Sequence, residues 1–246
     1  MAFGGVQLPR TLLCVNIDHV AALREAGGGN EPDLLEVAAV CKDRGCNGIS
    51  THLREDRRHV QERDVFAIKG RIIAKFYLEI GLSDEMIEIA KKVRPDRITI
   101  VPEKREETTA EGGLDLGKHI SKIRDTVELF RNEDIPVSLF LEPDMETVDI
   151  CKECGADYIE INTASYCNAA QITEVEGEID RIYRAADHAV KLGLKVNAGR
   201  GLNYRNVVPL LHARELLEVN IGHSIISRSV FVGLAKAVDE MLEVLD

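Results

Sequence analysis

Short apolar, β-branched runs alternate with amphipathic helical patterns along the whole of this 246-residue sequence. The runs predict strands at residues 12–17, 48–51, 72–78, 97–101, 136–141, 158–161, 195–198 and 218–221. The helical patterns lie at residues 32–44, 64–70, 84–93, 118–132, 144–153, 173–192, 204–212 and 229–245. Strand and helix alternating in this way predict an α/β protein, a single (β/α)8 TIM barrel over residues 1–246 with extra helical or loop insertions.

Composition agrees with one domain that has its own core. The sequence is 45% hydrophobic and 30% charged, and no low-complexity tract or long linker divides it. A net charge of -11 argues against nucleic acid or an anionic membrane as the main partner, but a local basic pocket can still bind a small anion. Residues 1–10 lack the apolar run of a secretory signal, and no later run reaches membrane-spanning length, so we expect a cytoplasmic protein.

The six cysteines form no dense framework, which favours free thiols in a reducing compartment over disulfides. Cys151 and Cys154 make a CxxC pair inside a helical pattern, without a second matching pair. We expect these two thiols to be buried structural residues, with metal or redox chemistry as the alternative.

A (β/α)8 barrel places its functional groups where strands end, and polar groups follow the strands of this sequence. Asn16, Asp18 and His19 end the first strand. Residues 49–59 turn a β-branched run into a cluster of two imidazoles, three guanidiniums and two carboxylates. A solvated loop is the plain interpretation of such a cluster, but its position after a strand favours one wall of an active site for an anionic substrate.

Glu79 and His52 are the best candidates for acid–base chemistry. Glu79 closes an apolar run, where burial would make it a stronger base, although a paired structural role stays open. His52 can exchange protons near neutral pH. A metal between His52 and His59 is disfavoured, because no zinc-type spacing is present and nearby arginines repel a cation. Arg54 and Arg58 suit phosphate instead.

The last two strand ends supply a second anion site. Small residues after strands seven and eight, including Gly201 and Gly222, allow backbone amides to approach an oxyanion just before a helix. Gly27 to Gly29 lack the pattern of a nucleotide loop and favour a flexible turn. The connection at 101–117 is long and polar, as expected for a lid or substrate loop.

A series of motifs in order along the chain resembles the pyridoxine 5'-phosphate synthase family from the first strand to the last helix. The motifs are VNIDHVAALR (15–24), ISTHLREDRRHV (49–60), ITIVPEKREETTAEGGLD (98–115), VSLFLEPD (137–144), YIEINT (158–163), VNAGRGLNYRNV (196–207) and EVNIGHSIISR (218–228). The resemblance implies a (β/α)8 barrel, usually an octamer, that needs no metal or organic cofactor. It also implies an enzyme that condenses 1-deoxy-D-xylulose 5-phosphate with 3-amino-2-oxopropyl phosphate, forming the pyridine ring of vitamin B6 and releasing phosphate and water.

The resemblance also assigns residues by motif. His52 and Glu79 match acid–base residues of the family, and Glu160 falls at a position suited to proton relay. The matches to contacts of the sugar phosphate are Asp18, His19, Arg54, His59 and Thr109, and the matches to contacts of the amino ketone phosphate are Asn16, Gly201, Gly222 and His223.

Two positions depart from the family pattern, both on the side of the amino ketone. Arg200 stands where the family usually has a His taken as a proton donor, and an Arg stays protonated near neutral pH. Gly27 aligns with an Arg that contacts the amino ketone phosphate. The favoured interpretation is a working synthase in which Arg200 replaces that guanidinium. The alternatives are a related condensing enzyme with a different amine and a non-catalytic phosphometabolite-binding protein.

Overall fold

The computed structural model describes residues 10–103 and 112–246. Its strands are β1 (Leu12–Asn16), β2 (Gly48–His52), β3 (Lys75–Ile80), β4 (Arg97–Ile100), β5 (Val137–Leu141), β6 (Tyr158–Asn162), β7 (Lys195–Gly199) and β8 (Leu216–Ile221). All eight are parallel, each pairs with its neighbours in sequence, and β8 pairs with β1 to close the barrel. The predicted (β/α)8 barrel is confirmed.

Helices separate the strands along the chain. They are α1 (Asp18–Gly27), α2 (Leu34–Asp43), α3 (Glu62–Arg71), α4 (Asp84–Val93), α5 (Leu116–Arg131), α6 (Met145–Glu153), α7 (Ala164–Asn168), α8 (Ile172–Lys191), α9 (Val207–Leu210), α10 (His223–Val232) and α11 (Leu234–Leu245). Two helices instead of one follow β1, β6 and β8, and these additions are the predicted insertions. In the part of the chain that the structure describes, no helix has the length and apolarity to cross a membrane.

Strand side chains alternate between the barrel interior and the helix layer. On β1, Leu13 and Val15 are buried apolar residues, and Asn16 makes hydrogen bonds across the barrel interior. Every residue of β5 is buried, because a parallel strand has both faces covered. The alternation carries polar side chains into the interior at the strand ends and leaves apolar ones against the helices.

Helix α4 illustrates how the outer layer forms. The Ser83 hydroxyl caps its start by accepting the Met86 N–H at 3.4 Å, and Arg94 ends it in the left-handed conformation with φ of 52°. Its buried face consists of Met86, Ile87, Ile89, Ala90 and Val93. Burial of each large apolar side chain stabilises the fold by about 1.5–3 kcal/mol. The stability of the helix therefore comes mainly from its packing.

A buried ion pair fills the barrel near the amino ends of the strands. Arg97 begins β4, and its guanidinium lies 2.6 Å from the Glu218 carboxylate of β8, with both side chains almost fully buried. The guanidinium also stacks 3.8 Å from the centroid of the Tyr77 ring. This cluster lies away from the strand ends where the predicted site residues are found.

The prediction for the third strand is wrong at its boundaries. Ile72 ends α3 by donating its N–H to the Ile68 carbonyl at 3.0 Å, and Ile73 is 89% exposed. The β-branched residues at 72–73 therefore belong to a helix end and a connection. The strand begins at Lys75, and Glu79 lies within it instead of following it.

Helix predictions differ from the structure in the last third of the chain. The predicted helix at 229–245 begins earlier, at His223, and Gly233 divides it with φ of 81°, a value that favours glycine. The predicted helix at 204–212 shortens to the four residues of α9. Helices α1 and α7 were not predicted, because few of their residues are buried and apolar.

The six cysteines are free thiols, and Cys151 and Cys154 are buried. Burial raises the pKa of Cys151 well above its usual value. The prediction of buried thiols for this pair is confirmed. Within residues 10–103 and 112–246, no group of three or more His, Cys, Asp or Glu side chains is arranged to hold a metal ion.

Candidate active site

A cavity of about 750 Å³ opens at the carboxyl ends of the strands. The predicted site residues that line it are Asn16, Asp18, His19, His52, Arg54, His59, Glu79, Glu160, Arg200, Gly201, Gly222 and His223. Thr109 lies outside the described residues, as does the middle of the predicted lid connection, because residues 104–111 are not described. Side chains far apart in sequence thus meet here because every parallel strand of the barrel ends on the same side.

Two asparagines join three carboxylates inside the barrel mouth. The Asn16 Nδ2 donates to Asp18 Oδ2 at 3.0 Å and to Glu79 Oε1 at 3.3 Å. The Asn220 Nδ2 donates to the same Glu79 oxygen at 3.0 Å and to Glu160 Oε1 at 3.3 Å. Glu79 therefore lies at the centre of a hydrogen-bonded row, with a carboxyl group on either side.

The Asn220 side chain is fixed in this orientation. Its Oδ1 accepts the Ser50 hydroxyl at 2.8 Å, which leaves the amide nitrogen to face the two glutamates. Gly199 makes room for the row, because a Cβ at that position would lie 2.5 Å from Glu160 Oε1. A side chain at 199 would therefore displace the carboxyl group.

Burial changes the protonation of two of the carboxyl groups. Burial first, and repulsion by Glu79 second, raise the pKa of Asp18 to about 7 and that of Glu160 to about 8. Both groups therefore retain a proton well above the usual carboxyl range. Groups that gain and lose protons near neutral pH are suited to general acid–base catalysis.

His52 lies beside Glu79 because the two are register partners on β2 and β3. Its backbone N–H donates to Asp18 Oδ1 at 2.9 Å. The ring Nε2 lies 3.4 Å from Oε2 of Glu103. The backbone of His52 is thus held by Asp18 and its ring faces Glu103, while the side chain also lines the cavity.

The basic wall after β2 is organised by Asp56. Its carboxylate accepts two hydrogen bonds from Arg54, at 3.1 and 3.2 Å, and two from Arg58, at 2.6 and 2.8 Å. Burial raises the pKa of Asp56, but the bonds from both guanidiniums outweigh it and hold the pKa well below its usual range. The anionic Asp56 fixes both arginines beside the cavity.

Three further histidines line the cavity. Burial, together with the charges of His52 and Arg54, lowers the pKa of His59 to about 4, and its Nδ1 accepts the Val60 N–H at 2.7 Å. The neutral ring therefore carries its proton on Nε2. His19 packs against His223 with ring centroids 4.9 Å apart, and burial and then His223 lower the His19 pKa.

The connections after β7 and β8 bring backbone close to the cavity. Arg200 and Gly201 have φ of 82° and 80°, and the Thr163 hydroxyl donates to the Arg200 carbonyl at 2.6 Å. A Cβ on Gly222 would lie 2.9 Å from the Asn16 carbonyl oxygen, so only glycine fits there. Helix α10 begins at the next residue, and its first N–H groups suit an anion.

The two residues that depart from the family pattern, Arg200 and Gly27, lie in different places. Arg200 lines the cavity. Gly27 is the last residue of α1, a helix whose first turn carries Asp18 and His19, and a Cβ at Gly27 would meet no atom within 4 Å. A longer side chain at position 27 has open space around it.

Sequence reasoning gave no role to Glu103, Asn220 or Ser50. Alternation along β8 places the Asn220 side chain inside the barrel with Glu218, and this alternation is the signal that could have found it. Ser50 follows the same alternation on β2. Glu103 follows β4 in a polar connection, and no local pattern indicates that its side chain turns back to His52.

Comparison with known proteins gives a consistent result. A family model described as "Pyridoxal phosphate biosynthesis protein PdxJ" matches residues 13–246. The pyridoxine 5'-phosphate synthase of Syntrophotalea carbinolica is 47% identical over 234 residues, which cover 95% of this chain and 98% of the relative. The enzyme of the same name from Photobacterium profundum is 46% identical over 236 residues, covering 96% and 97%.

Solved structures resemble the fold at low sequence identity. Phosphoribosylanthranilate isomerase from Thermotoga maritima aligns with a TM-score of 0.58 and 11% identity, covering 96% of this chain and 98% of that chain. KGPDC from Streptococcus mutans aligns with a TM-score of 0.62 and 13% identity, covering 96% and 97%. At such identities the likeness concerns the barrel fold alone.

Proposed function

This chain belongs to the PdxJ family of pyridoxal phosphate biosynthesis proteins, and on that premise we propose that it is a pyridoxine 5'-phosphate synthase. The enzyme condenses 1-deoxy-D-xylulose 5-phosphate with 3-amino-2-oxopropyl phosphate and forms the pyridine ring of vitamin B6, with release of phosphate and water. The observation that carries the proposal is the row of Asp18, Glu79 and Glu160 beside His52, in a cavity with anion-binding groups on two sides.

We assign the sugar phosphate to the side of the cavity formed after β1 and β2. Arg54 is held by Asp56, so its guanidinium is already oriented when a phosphate arrives. The neutral His59 offers an Nε2 proton beside it. Asp18 and His19 complete this side, and Thr109 is assigned to it by the family motif alone.

The amino ketone phosphate is assigned to the side formed after β7 and β8. The backbone at Gly201 and Gly222 can approach an anion closely, and the start of α10 supplies N–H groups and a positive helix end. His223 begins α10 and Asn16 of β1 lies against Gly222, so both can offer further polar contacts to this phosphate. Arg200 adds a permanent positive charge near these groups.

Ring formation requires repeated proton transfers, and the row of carboxyl groups suits this demand. His52 and Glu79 act as acid–base residues at the substrates. Glu160 keeps a proton near neutral pH and exchanges it with Glu79 along the barrel axis, across the space that the Asn220 amide spans. Arg200 stabilises negative charge and does not shuttle protons.

Product analysis tests this function directly. The purified protein is incubated with both substrates, and mass spectrometry follows pyridoxine 5'-phosphate while a colorimetric assay follows phosphate. Both products are expected, and omission of either substrate should abolish them. Consumption of the sugar phosphate only with a different amine would favour the related condensing enzyme, and binding without any turnover would favour the non-catalytic alternative.

Phosphate recognition is tested separately with Arg54→Ala. Loss of the guanidinium should weaken binding of the sugar phosphate by about tenfold or more, because a charge-assisted bidentate contact is removed. Binding of 1-deoxy-D-xylulose, which has no phosphate, should change little. Calorimetry that finds equal losses for the two ligands would reject the assignment.

We further propose that the chain is a single barrel domain that assembles into a homo-octamer in the cytoplasm, with neither nucleic acid nor a membrane as partner. Val230 and Phe231 on α10 are 78% and 83% exposed, which supports contacts between copies. Light scattering coupled to size-exclusion chromatography measures the assembly. A monomer at micromolar concentration would contradict this proposal.

A further inference from the structure

A buried carboxylate lies behind His52, outside the hydrogen-bonded row of Asp18, Glu79 and Glu160. Glu103 follows β4, and only 4% of its side chain is exposed. Its Oε1 accepts the Glu55 N–H at 2.6 Å, and its Oε2 lies 3.4 Å from His52 Nε2. Gly81 leaves the space for this arrangement, because a Cβ there would lie 2.8 Å from Oε2.

His52 Nε2 and Glu103 Oε2 each need the other as a hydrogen-bond partner. Within the described part of the chain, both His52 Nε2 and Glu103 Oε2 are buried and neither has a hydrogen-bond partner, although the two atoms face each other at 3.4 Å. Buried polar atoms almost always find a partner, so a proton on Nε2 directed at Oε2 is the arrangement that satisfies both. His52 lines the cavity and Glu103 does not, which places the carboxylate on the far side of the imidazole from substrate.

Glu103 is an anion in this setting. Burial would raise the pKa of its carboxyl, but His52, the Glu55 N–H and the charge of Arg54, whose Nε lies 3.9 Å away, together lower the pKa below its usual value. An anion next to an imidazole has two effects. It holds the ring proton on the facing nitrogen, and it stabilises the imidazolium when the other nitrogen accepts a proton.

We propose that Glu103 is a positioning residue that keeps the His52 proton on Nε2 and leaves Nδ1 as the nitrogen that exchanges protons with substrate. The inference rests on the proposed role of His52 in the condensation. It adds a carboxylate–imidazole pair behind the cavity, in which Glu103 touches no reacting atom and acts through the ring. A wrong tautomer would present a donor where the reaction needs an acceptor.

Glu103→Gln tests the pair with little change of shape. The Gln Oε1 can still accept the Glu55 N–H, but its amide then directs N–H groups at His52 Nε2. That nitrogen must become an acceptor, so the ring proton moves to Nδ1. We expect kcat to fall about a hundredfold, as for loss of acid–base catalysis, while the KM for the sugar phosphate stays within about threefold.

Two further variants separate positioning from general damage. Glu103→Asp keeps the charge and should recover part of the lost kcat. Glu133→Gln is the matched control, because this glutamate also pairs with an arginine, Arg94, but is 40% exposed and lies outside the cavity lining. Its kinetics should equal those of the wild type. Thermal unfolding verifies that each variant is folded.

A spectroscopic measurement decides the tautomer independently of turnover. Solid-state 15N spectra of protein labelled at the ring nitrogens of its seven histidines are assigned for His52 by comparison with His52→Asn. The wild type should show protonated Nε2 and unprotonated Nδ1, and Glu103→Gln should show the reverse. An unchanged tautomer together with an unchanged kcat would overturn the inference. If the protein proves not to make pyridoxine 5'-phosphate, the tautomer result still stands or fails by itself.

Discussion

Individual carboxyl groups in this barrel acquire their properties from their surroundings. Asp18, Glu79 and Glu160 share two asparagine amides, and Glu79 accepts from both amides. Glu160 is buried and Asp18 is partly buried at the cavity wall. Desolvation and the charge of Glu79 together raise the pKa of each. Proton transfer between neighbouring groups needs such a matched set of donors and acceptors.

The central position of Glu79 gives the first residue-scale prediction. Glu79→Gln keeps the shape and an oxygen for the two amides but removes the base, so kcat/KM should fall by at least about a hundredfold with the fold intact. Steady-state kinetics and circular dichroism measure the two properties. Glu88→Gln, on the exposed face of α4, serves as the control. Turnover like that of the wild type would remove Glu79 from the mechanism.

The burial of Glu160 predicts a dependence of stability on pH. The folded protein holds this proton up to a pKa of about 8, whereas the unfolded chain loses it near the usual 4.5. Between these values the unfolded state binds fewer protons, so the free energy of unfolding falls as pH rises. The glutamine in Glu160→Gln cannot ionise, so the free energy of unfolding of this variant does not fall with pH for this reason.

Urea unfolding at pH 5 and pH 8 measures the effect. The stability of Glu160→Gln relative to the wild type should increase by at least about 1 kcal/mol between the two pH values, since one pKa unit corresponds to about 1.4 kcal/mol. Asp18 titrates in both proteins and cancels from this difference. Equal pH dependence of the two proteins would contradict the raised pKa of Glu160.

At the scale of elements, the connections that follow several strands line the cavity. The chain after β7 passes Arg200 and Gly201 in the left-handed region, held by the Thr163 hydroxyl. Helix α1 starts in the cavity at Asp18 and ends outside its lining at Gly27. The two departures from the family pattern therefore lie on separate elements, one lining the cavity and one at a helix end.

If Arg200 replaces the guanidinium missing at position 27, its charge supports binding of the amino ketone phosphate. Arg200→His should then raise the KM for that substrate by about tenfold, and adding Gly27→Arg should recover it. The left-handed backbone at position 200 tolerates His better than most residues, and position 27 has space for Arg. Arg205→His, an exposed change in the same connection, is the control.

The outcomes of this cycle separate the alternatives. A wild type without product and a double variant that gains it would indicate that the natural amine differs from the family's. Variants with the same KM as an active wild type would reject compensation between the two positions.

At the scale of the whole molecule, the proposed acid–base groups and a buried ion pair occupy different ends of the barrel interior. The proposed acid–base groups lie at the carboxyl ends of the strands, and the Arg97–Glu218 pair fills the interior near the amino ends. Desolvation offsets much of the attraction within a buried ion pair, but losing one member leaves the other charge buried without a partner. Tyr77, Asn47 and Glu218 extend the hydrogen-bonded cluster across several strands.

Glu218→Gln should therefore destabilise the protein by about 3–5 kcal/mol, because the Arg97 guanidinium stays buried without its anion. The double variant Arg97→Met/Glu218→Leu should cost less than this single change. Asp239→Asn, which breaks the exposed pair with Arg44, should cost far less than Glu218→Gln, because solvent screens an exposed pair. Urea unfolding measures all three. A Glu218→Gln protein as stable as the Asp239→Asn protein would show that the buried pair carries no such role.

The sequence by itself determined the barrel and most of the residues around its cavity. Alternating β-branched runs and amphipathic helices fix a (β/α)8 topology, because parallel strands need helical crossovers on the outside. Strand ends then indicate the site, since parallel strands in a barrel all end on one side. Arg54, His52 and Gly222 were identified by this reasoning and by the family motifs.

Only the tertiary structure decided how those residues act on one another. Glu79 lies within β3 because it pairs with His52 of β2 and Thr99 of β4. The strand starts only at Lys75 because Ile72 ends α3. The Asn220 amide between two glutamates and the Glu103 carboxylate behind His52 join residues from distant strands. Burial and distance set protonation, and neither quantity is a property of a local stretch of sequence.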